Sequence, residues 1–134
     1  MLHAQSNTLS VLIIEDQTEL NRLYNKVLSS AGFRTLGCQS IQQARQHLTA
    51  PQLPHIVVMD LELSDGHGTE LLSLLSKKAY QHIKVVVVSG HTYDQQQMGI
   101  ERADYALLKP VSPRGLKALV QTIAQEVFVS SALS

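Results

Sequence analysis

The sequence predicts an α/β fold, a single doubly wound parallel sheet, on three observations. Short apolar runs of strand length recur along the chain, stretches of helical periodicity separate them, and polar residues stand just past the ends of the runs. Nearly continuous apolar runs suit strands buried on both faces. Strands separated by helices pair in parallel with right-handed crossovers, so helices cover both faces of the sheet.

The elements follow in order. Residues 9–14 form the first apolar run. Leu20, Leu23, Tyr24, Val27, Leu28 and Ala31 then repeat at three and four residues, which places one apolar stripe on a first helix. Gly32 ends it, as a residue able to adopt positive φ does. A weaker strand is expected over residues 33–38, and Ser40 with Gln43 forms a capping box for a second helix. The run at 56–59 is the third strand, and a third helix is expected over about 69–79. Residues 83–88 give the fourth strand. The segment 91–102 predicts a short, polar fourth helix with only Met98 and Ile100 as apolar anchors. Residues 105–108 give the fifth strand. Ser112 and Pro113 cap and open a last helix whose stripe is Leu116, Leu119, Val120, Ile123, Ala124 and Val127. The domain is expected over residues 9–128, with 1–8 and 129–134 as flexible tails.

Composition narrows the function. The 134 residues are 44% apolar, enough for one core without disulfides. Eleven acids balance eleven bases and no Lys/Arg run occurs, which argues against direct nucleic-acid binding. The lone Cys38 forms no internal disulfide, reads as a small core residue and fits a reducing compartment. No apolar run approaches the ~18 residues of a membrane span, and residues 1–8 lack a signal-peptide pattern. A cytoplasmic protein is expected.

Ligands of open α/β sheets bind outside the carboxyl ends of the strands. The residues there are Glu15 and Asp16 after the first strand, Asp60 after the third, Ser89 after the fourth, and Lys109 followed by Pro110 after the fifth. Singly, each is an ordinary solvated loop residue; five at one edge are a site. Three neighbouring carboxylates repel one another, and a hard divalent cation such as Mg²⁺ or Mn²⁺ resolves the repulsion. A carboxylate beside such an ion can attack phosphorus to form an aspartyl phosphate. The cation and a lysine would neutralise the phosphoryl oxygens, and a hydroxyl such as that of Ser89 would hydrogen-bond one of them.

Other signals lead nowhere. Gly66-His67-Gly68 lacks the third glycine of a dinucleotide loop, and no Gly-Lys-Ser/Thr exists. These glycines are expected to turn the chain into the third helix, with His67 in a loop. His47, on a polar helix face, is expected to be solvated, and the histidines show no metal-ligand spacing.

With these residues in place, the chain resembles the receiver domains of two-component response regulators. The resemblance rests on residues 11–16 (Val-Leu-Ile-Ile-Glu-Asp), 57–61 (Val-Val-Met-Asp-Leu), 86–90 (Val-Val-Val-Ser-Gly) and 107–110 (Leu-Leu-Lys-Pro), with the loop that begins at Asp60 and runs to Leu72. It implies the strand order 2-1-3-4-5 with five helices. It implies Asp60 as phosphoacceptor, Asp16, Asp60 and the backbone carbonyl of Glu62 as ligands of Mg²⁺ (Mn²⁺ able to substitute), and Glu15 acting mainly through a metal-bound water. Ser89 matches the switch hydroxyl, Lys109 the lysine on a phosphoryl oxygen, and Lys109–Pro110 the family's cis bond. The implied partners are a histidine kinase or histidine phosphotransfer protein upstream, a protein target or a missing output domain downstream, and a homodimer formed on phosphorylation; neither nucleic acid nor membrane is an expected direct partner.

Departures from the family's pattern also bear on output. The switch aromatic normally stands three residues before the lysine; here that position is Ala106, and Tyr105 faces the other side of the strand. The segment from Ser89 to Lys109 is about two residues shorter than in many members, and Ser64 replaces a frequent proline. Glu62 and His91 occupy positions near the path of an attacking water. Two other functions compete: a binding module that uses the fold without phosphorylation, favoured by Ala106, and an aspartyl-nucleophile phosphohydrolase, disfavoured because no cap domain fits in the chain.

Overall fold

A computed structural model describes residues 8–90 and 101–133. Strand β1 (Ser10–Ile14) leads into helix α1 (Thr18–Ser30), and strand β2 (Arg34–Cys38) into helix α2 (Ile41–Leu48). Strand β3 (Ile56–Asp60) is followed by a short hairpin, β4 (Glu62–Leu63) and β5 (Gly66–His67), and by helix α3 (Thr69–Leu75). Strands β6 (Lys84–Ser89) and β7 (Tyr105–Leu108) precede the long helix α4 (Pro113–Leu133). The large sheet is parallel throughout, in the order β2-β1-β3-β6-β7. Leaving out the two hairpin strands, that is the expected 2-1-3-4-5.

Two cores sandwich the sheet. On one face Leu12, Val57, Met59 and Val85 pack against Ile41, Leu48, Leu71, Leu72 and Leu75 of α2 and α3. On the other, Ile13, Val58, Val86 and Val88 pack against Tyr24, Leu28, Leu116, Val120 and Ile123 of α1 and α4. The period-2 alternation of the strands sends successive side chains to opposite faces. β3 is buried along its whole length because it is covered on both. Cys38 is buried, and that burial pushes its thiol up to about 12, as suits a core residue.

The caps form as the sequence directs, with one variation. Ser40 accepts from the Gln43 N–H at 3.1 Å, but the Gln43 side chain reaches back to the N–H of Gln39 rather than Ser40. Ser112 accepts from the Gly115 N–H at 2.9 Å, and Gly32 has φ +101°.

Several expectations are corrected. Helix α3 ends at Leu75, and a separate 3₁₀ turn, Lys78–Tyr80, follows. The Ser76 hydroxyl donates to the Leu72 carbonyl at 2.8 Å, beside the Ser76 N–H, which donates to it at 3.0 Å. Leu23 is 40% exposed, so the buried stripe of α1 is turned towards Asn21, Tyr24 and Leu28. His47 is half-buried rather than solvated. Gly66 and His67 form strand β5, not a loop. Helix α4 continues to Leu133. Four α-helices stand among the described residues; of the segment expected to form another, residues 91–100, including His91, lie outside them, and Glu101 and Arg102 form a turn.

Candidate functional site

The carboxyl ends of β1, β3, β6 and β7 meet at one edge of the sheet. Asp60 is the last residue of β3 and Ser89 the last of β6; both are buried. Glu15 follows β1 and Lys109 follows β7, across a cis Lys109–Pro110 bond. Carboxylate oxygens of Glu15, Asp16 and Asp60 lie within 4.8 Å of one another.

Asp60 is held at both oxygens. Its Oδ2 accepts from Lys109 Nζ at 2.7 Å, and its Oδ1 accepts from the Glu62 N–H at 2.9 Å. Burial raises the Asp60 carboxyl above its ordinary value against the opposing pull of Lys109. Burial would lower the Lys109 ammonium, but its hydrogen bond to Asp60 and the charges of Asp60, Glu15 and Glu62 carry it above its ordinary value. Glu15 is buried, which pushes its carboxyl up to about 7; the Gln17 N–H on its Oε2 at 2.9 Å opposes this, and the Asp60 charge adds to it. Three carboxyl groups thus crowd against one ammonium, and the Asp60 charge helps to hold Glu15 back from ionising. An all-oxygen set crowded in this way fits a hard divalent cation, which would favour ionisation of all three.

The site residues predicted from sequence come together: Glu15, Asp16, Asp60 and Lys109 converge on one point, and Glu62 joins Asp60 to Ser89. The Ser89 Oγ donates to Glu62 Oε1 at 2.9 Å. Ala106, at the position of the family's switch aromatic, is exposed and pairs with Val87. Tyr105 packs on the α1/α4 face, and its hydroxyl donates to Glu126. It is directed away from Ala106's side of the sheet, as strand alternation requires.

Sequence reasoning missed the supports of the site. Buried Asn21 donates through Nδ2 to the carbonyls of Glu15 and Cys38, each at 2.9 Å, and so fixes the loop that carries Glu15 and Asp16. Its spacing with Tyr24 and Leu28 places it on the buried face, which is the available signal. Asp65 accepts from the N–H groups of Ile41 and Gln42 at 3.0 and 3.2 Å and pins the β4–β5 hairpin to the start of α2. Gly68 approaches the β3 terminus so closely that a Cβ there would stand 3.0 Å from the Asp60 carbonyl.

A 2-1-3-4-5 parallel sheet with an acidic cluster, a hydroxyl and a lysine at its carboxyl edge is the architecture of a phosphorelay receiver. Residues 11–121 match the family described as the response regulator receiver domain, and the chain belongs to that family. It is 29% identical over 122 residues to the transcriptional regulatory protein CssR of Bacillus subtilis, covering 89% of this chain and 52% of that protein. It is 27% identical over 121 residues to the polar-differentiation response regulator DivK of Brucella ovis, covering 84% of this chain and 94% of DivK. A solved CheY-like receiver domain from Methanospirillum hungatei JF-1 superposes with TM-score 0.82 at 22% identity, over 92% of this chain and 98% of that one. The chain spans only about half of CssR and 26% of the regulator AlgB of Pseudomonas putida. Receiver domains of this family typically bind Mg²⁺ in an acidic pocket and interact with histidine kinases and output domains; the acidic pocket is present here. Among the described residues no helix is long and apolar enough to cross a membrane.

Proposed function

We propose that this receiver domain accepts a phosphoryl group on Asp60 from a phosphohistidine of a kinase or phosphotransfer protein. The observation that carries the assignment is the buried Asp60 carboxylate held by Lys109 at 2.7 Å within the acidic cluster. An Asp60 oxygen attacks phosphorus; the new P–O bond forms as the P–N bond breaks, and the departing imidazole nitrogen keeps the electron pair and takes a proton. Lys109 neutralises the growing charge on a phosphoryl oxygen. Mg²⁺, held by Asp16, Asp60 and the Glu62 carbonyl with Glu15 acting through water, would supply the remaining charge neutralisation and orientation. Attack of water on the acyl phosphate returns Asp60 as carboxylate and releases inorganic phosphate. A downstream protein or output domain would read the modified state, with dimerisation as a further output, in the cytoplasm.

Intact mass after incubation with Mg²⁺ and acetyl phosphate tests this. One added phosphoryl group that requires Mg²⁺ and vanishes in Asp60→Asn is expected. An adduct that persists in Asp60→Asn moves the acceptor elsewhere. A folded, metal-binding protein that takes no adduct favours the second reading, a phosphorylation-independent binding module, to which the exposed Ala106 already lends weight.

A further inference from the structure

The hydroxyl of Ser89 is already engaged. It carries a single proton, and that proton is donated to Glu62 Oε1 at 2.9 Å. An ionised acceptor makes this a charge-assisted bond, stronger than one between neutral groups. A phosphoryl oxygen on Asp60 could receive the Ser89 proton only after that bond opens. We propose that Glu62 is a positioning residue: its side chain holds the Ser89 hydroxyl away from the phosphoryl position and sets how readily the domain enters its phosphorylated conformation. This deepens the assignment of Asp60 as phosphoacceptor and rests on it.

The backbone at both ends of the bond is fixed, so the exchange of partners is a side-chain event. Ser89 ends β6, is buried, and its carbonyl accepts from the Lys109 N–H at 2.7 Å. The Glu62 N–H is committed to Asp60 Oδ1, and Glu62 pairs with His67 in the β4–β5 hairpin. Glu62 thus touches Asp60 through its main chain, and its side chain lies against both Asp60 and Ser89. A phosphoryl group on Asp60 brings negative charge close to the Glu62 carboxylate, and like charges disfavour one another. The arriving group therefore weakens the contact that it must replace, and the released hydroxyl rotates to the new anion. With Ala106 in place of the aromatic, this exchange is the switching contact that the described residues supply.

Two effects of Glu62 have to be separated, its hydrogen bond to Ser89 and its charge. The experiment is a titration of the full chain with beryllofluoride, a phosphoryl mimic, in Mg²⁺ by ¹⁹F NMR. The proteins are wild type, Glu62→Gln, Glu62→Ala, Ser89→Ala and Glu62→Ala/Ser89→Ala, each shown to be folded by its thermal transition. Release of one hydrogen bond to a charged group corresponds to roughly tenfold tighter binding in Glu62→Ala. Glu62→Gln keeps an acceptor oxygen and is expected to gain less. In the Ser89→Ala background, removing Glu62 is expected to raise affinity clearly less than it does with Ser89 present, because only the charge repulsion is relieved and no hydroxyl remains to be released. A gain that survives undiminished in that background makes Glu62 a simple repelling charge and overturns the proposal, as does unchanged affinity in Glu62→Ala. Folded wild type that binds no beryllofluoride at all, while Asp60→Asn behaves identically, overturns the phosphoacceptor assignment itself, a result distinct from either.

Discussion

At the scale of single residues, the groups at the carboxyl edge of the sheet are held by residues that take no part in the proposed chemistry. Asn21 gives both amide protons to main-chain carbonyls, that of Glu15 just after β1 and that of Cys38 at the end of β2, and Asn25 in turn donates to the Asn21 Oδ1 at 2.7 Å. The network needs Gly37: a Cβ there would stand 2.3 Å from Asn21 Oδ1. Replacing Asn21 by Ala leaves two carbonyls without that donor and is expected to cost about 1–3 kcal/mol. Urea unfolding measures the cost; a loss below about 0.5 kcal/mol, the range of ordinary surface substitutions, would show that Asn21 does not brace the loop of Glu15 and Asp16. The positions at the carboxyl edge are legible in the sequence because the rule that locates them depends only on strand ends. Asp60 and Ser89 end strands whose apolar runs are unmistakable. Asn21 is hidden when a helix stripe is read from apolar residues alone: such a stripe includes Leu23, which is exposed, and omits Asn21, which is buried. The bond between Glu62 and Ser89 is not legible, because a side-chain partner 27 residues away depends on how the hairpin after β3 folds.

At the scale of elements, one arginine joins three of them. Arg102 donates to the carbonyls of Leu75 at the end of α3, Tyr80 in the 3₁₀ turn and Ile83 before β6, at 2.6–2.8 Å. It also pairs with Asp104, whose Oδ2 accepts from the Val85 N–H at 2.8 Å. A planar guanidinium with five donors can serve such a divergent set, whereas the ammonium of lysine is a point donor on a flexible stem. Arg102→Lys is therefore expected to lose about 2–4 kcal/mol of stability. A lysine variant that unfolds at the wild-type denaturant concentration would refute this. The same region shows why element boundaries are harder to read from sequence than the elements themselves. Apolar periodicity announces α3 well, but it gives no stopping point, since Ser76 is polar without being a strong breaker. At the stop, the Leu75 carbonyl is taken by the guanidinium of Arg102, a residue distant in sequence. By contrast, the caps at Ser40 and Ser112 act within three residues of themselves, and both are plain in the sequence.

At the scale of the whole molecule, charge at the site trades against stability. The Glu15 carboxyl is raised from its ordinary 4.5 to about 7, chiefly by burial. Stability associated with the protonated group is complete below the unfolded value and is lost as pH rises through about 7, because the unfolded chain releases the proton first. The metal-free protein is accordingly expected to melt at lower temperature as pH is raised from about 5 to about 8, and Mg²⁺ to restore the loss at the upper end, since binding to the folded state adds stability. Glu15→Gln should flatten the metal-free profile; an equally steep profile in that variant would assign the pH dependence to another group. Strand order is legible at this scale only through the family resemblance, because alternation alone establishes parallel pairing and not which strand is central. The placement of the reactive groups has a further consequence. Lys109 lies 49 residues from the Asp60 that it binds, and Glu15 follows the first strand of the chain. No short contiguous stretch of polypeptide contains the site. A fragment, a nascent chain still short of β7 or a product cut between the two lacks the cation beside its aspartate. On the proposed assignment, a truncated copy would present Asp60 without the ammonium that holds it, so completeness of the fold and competence of the site would be lost together.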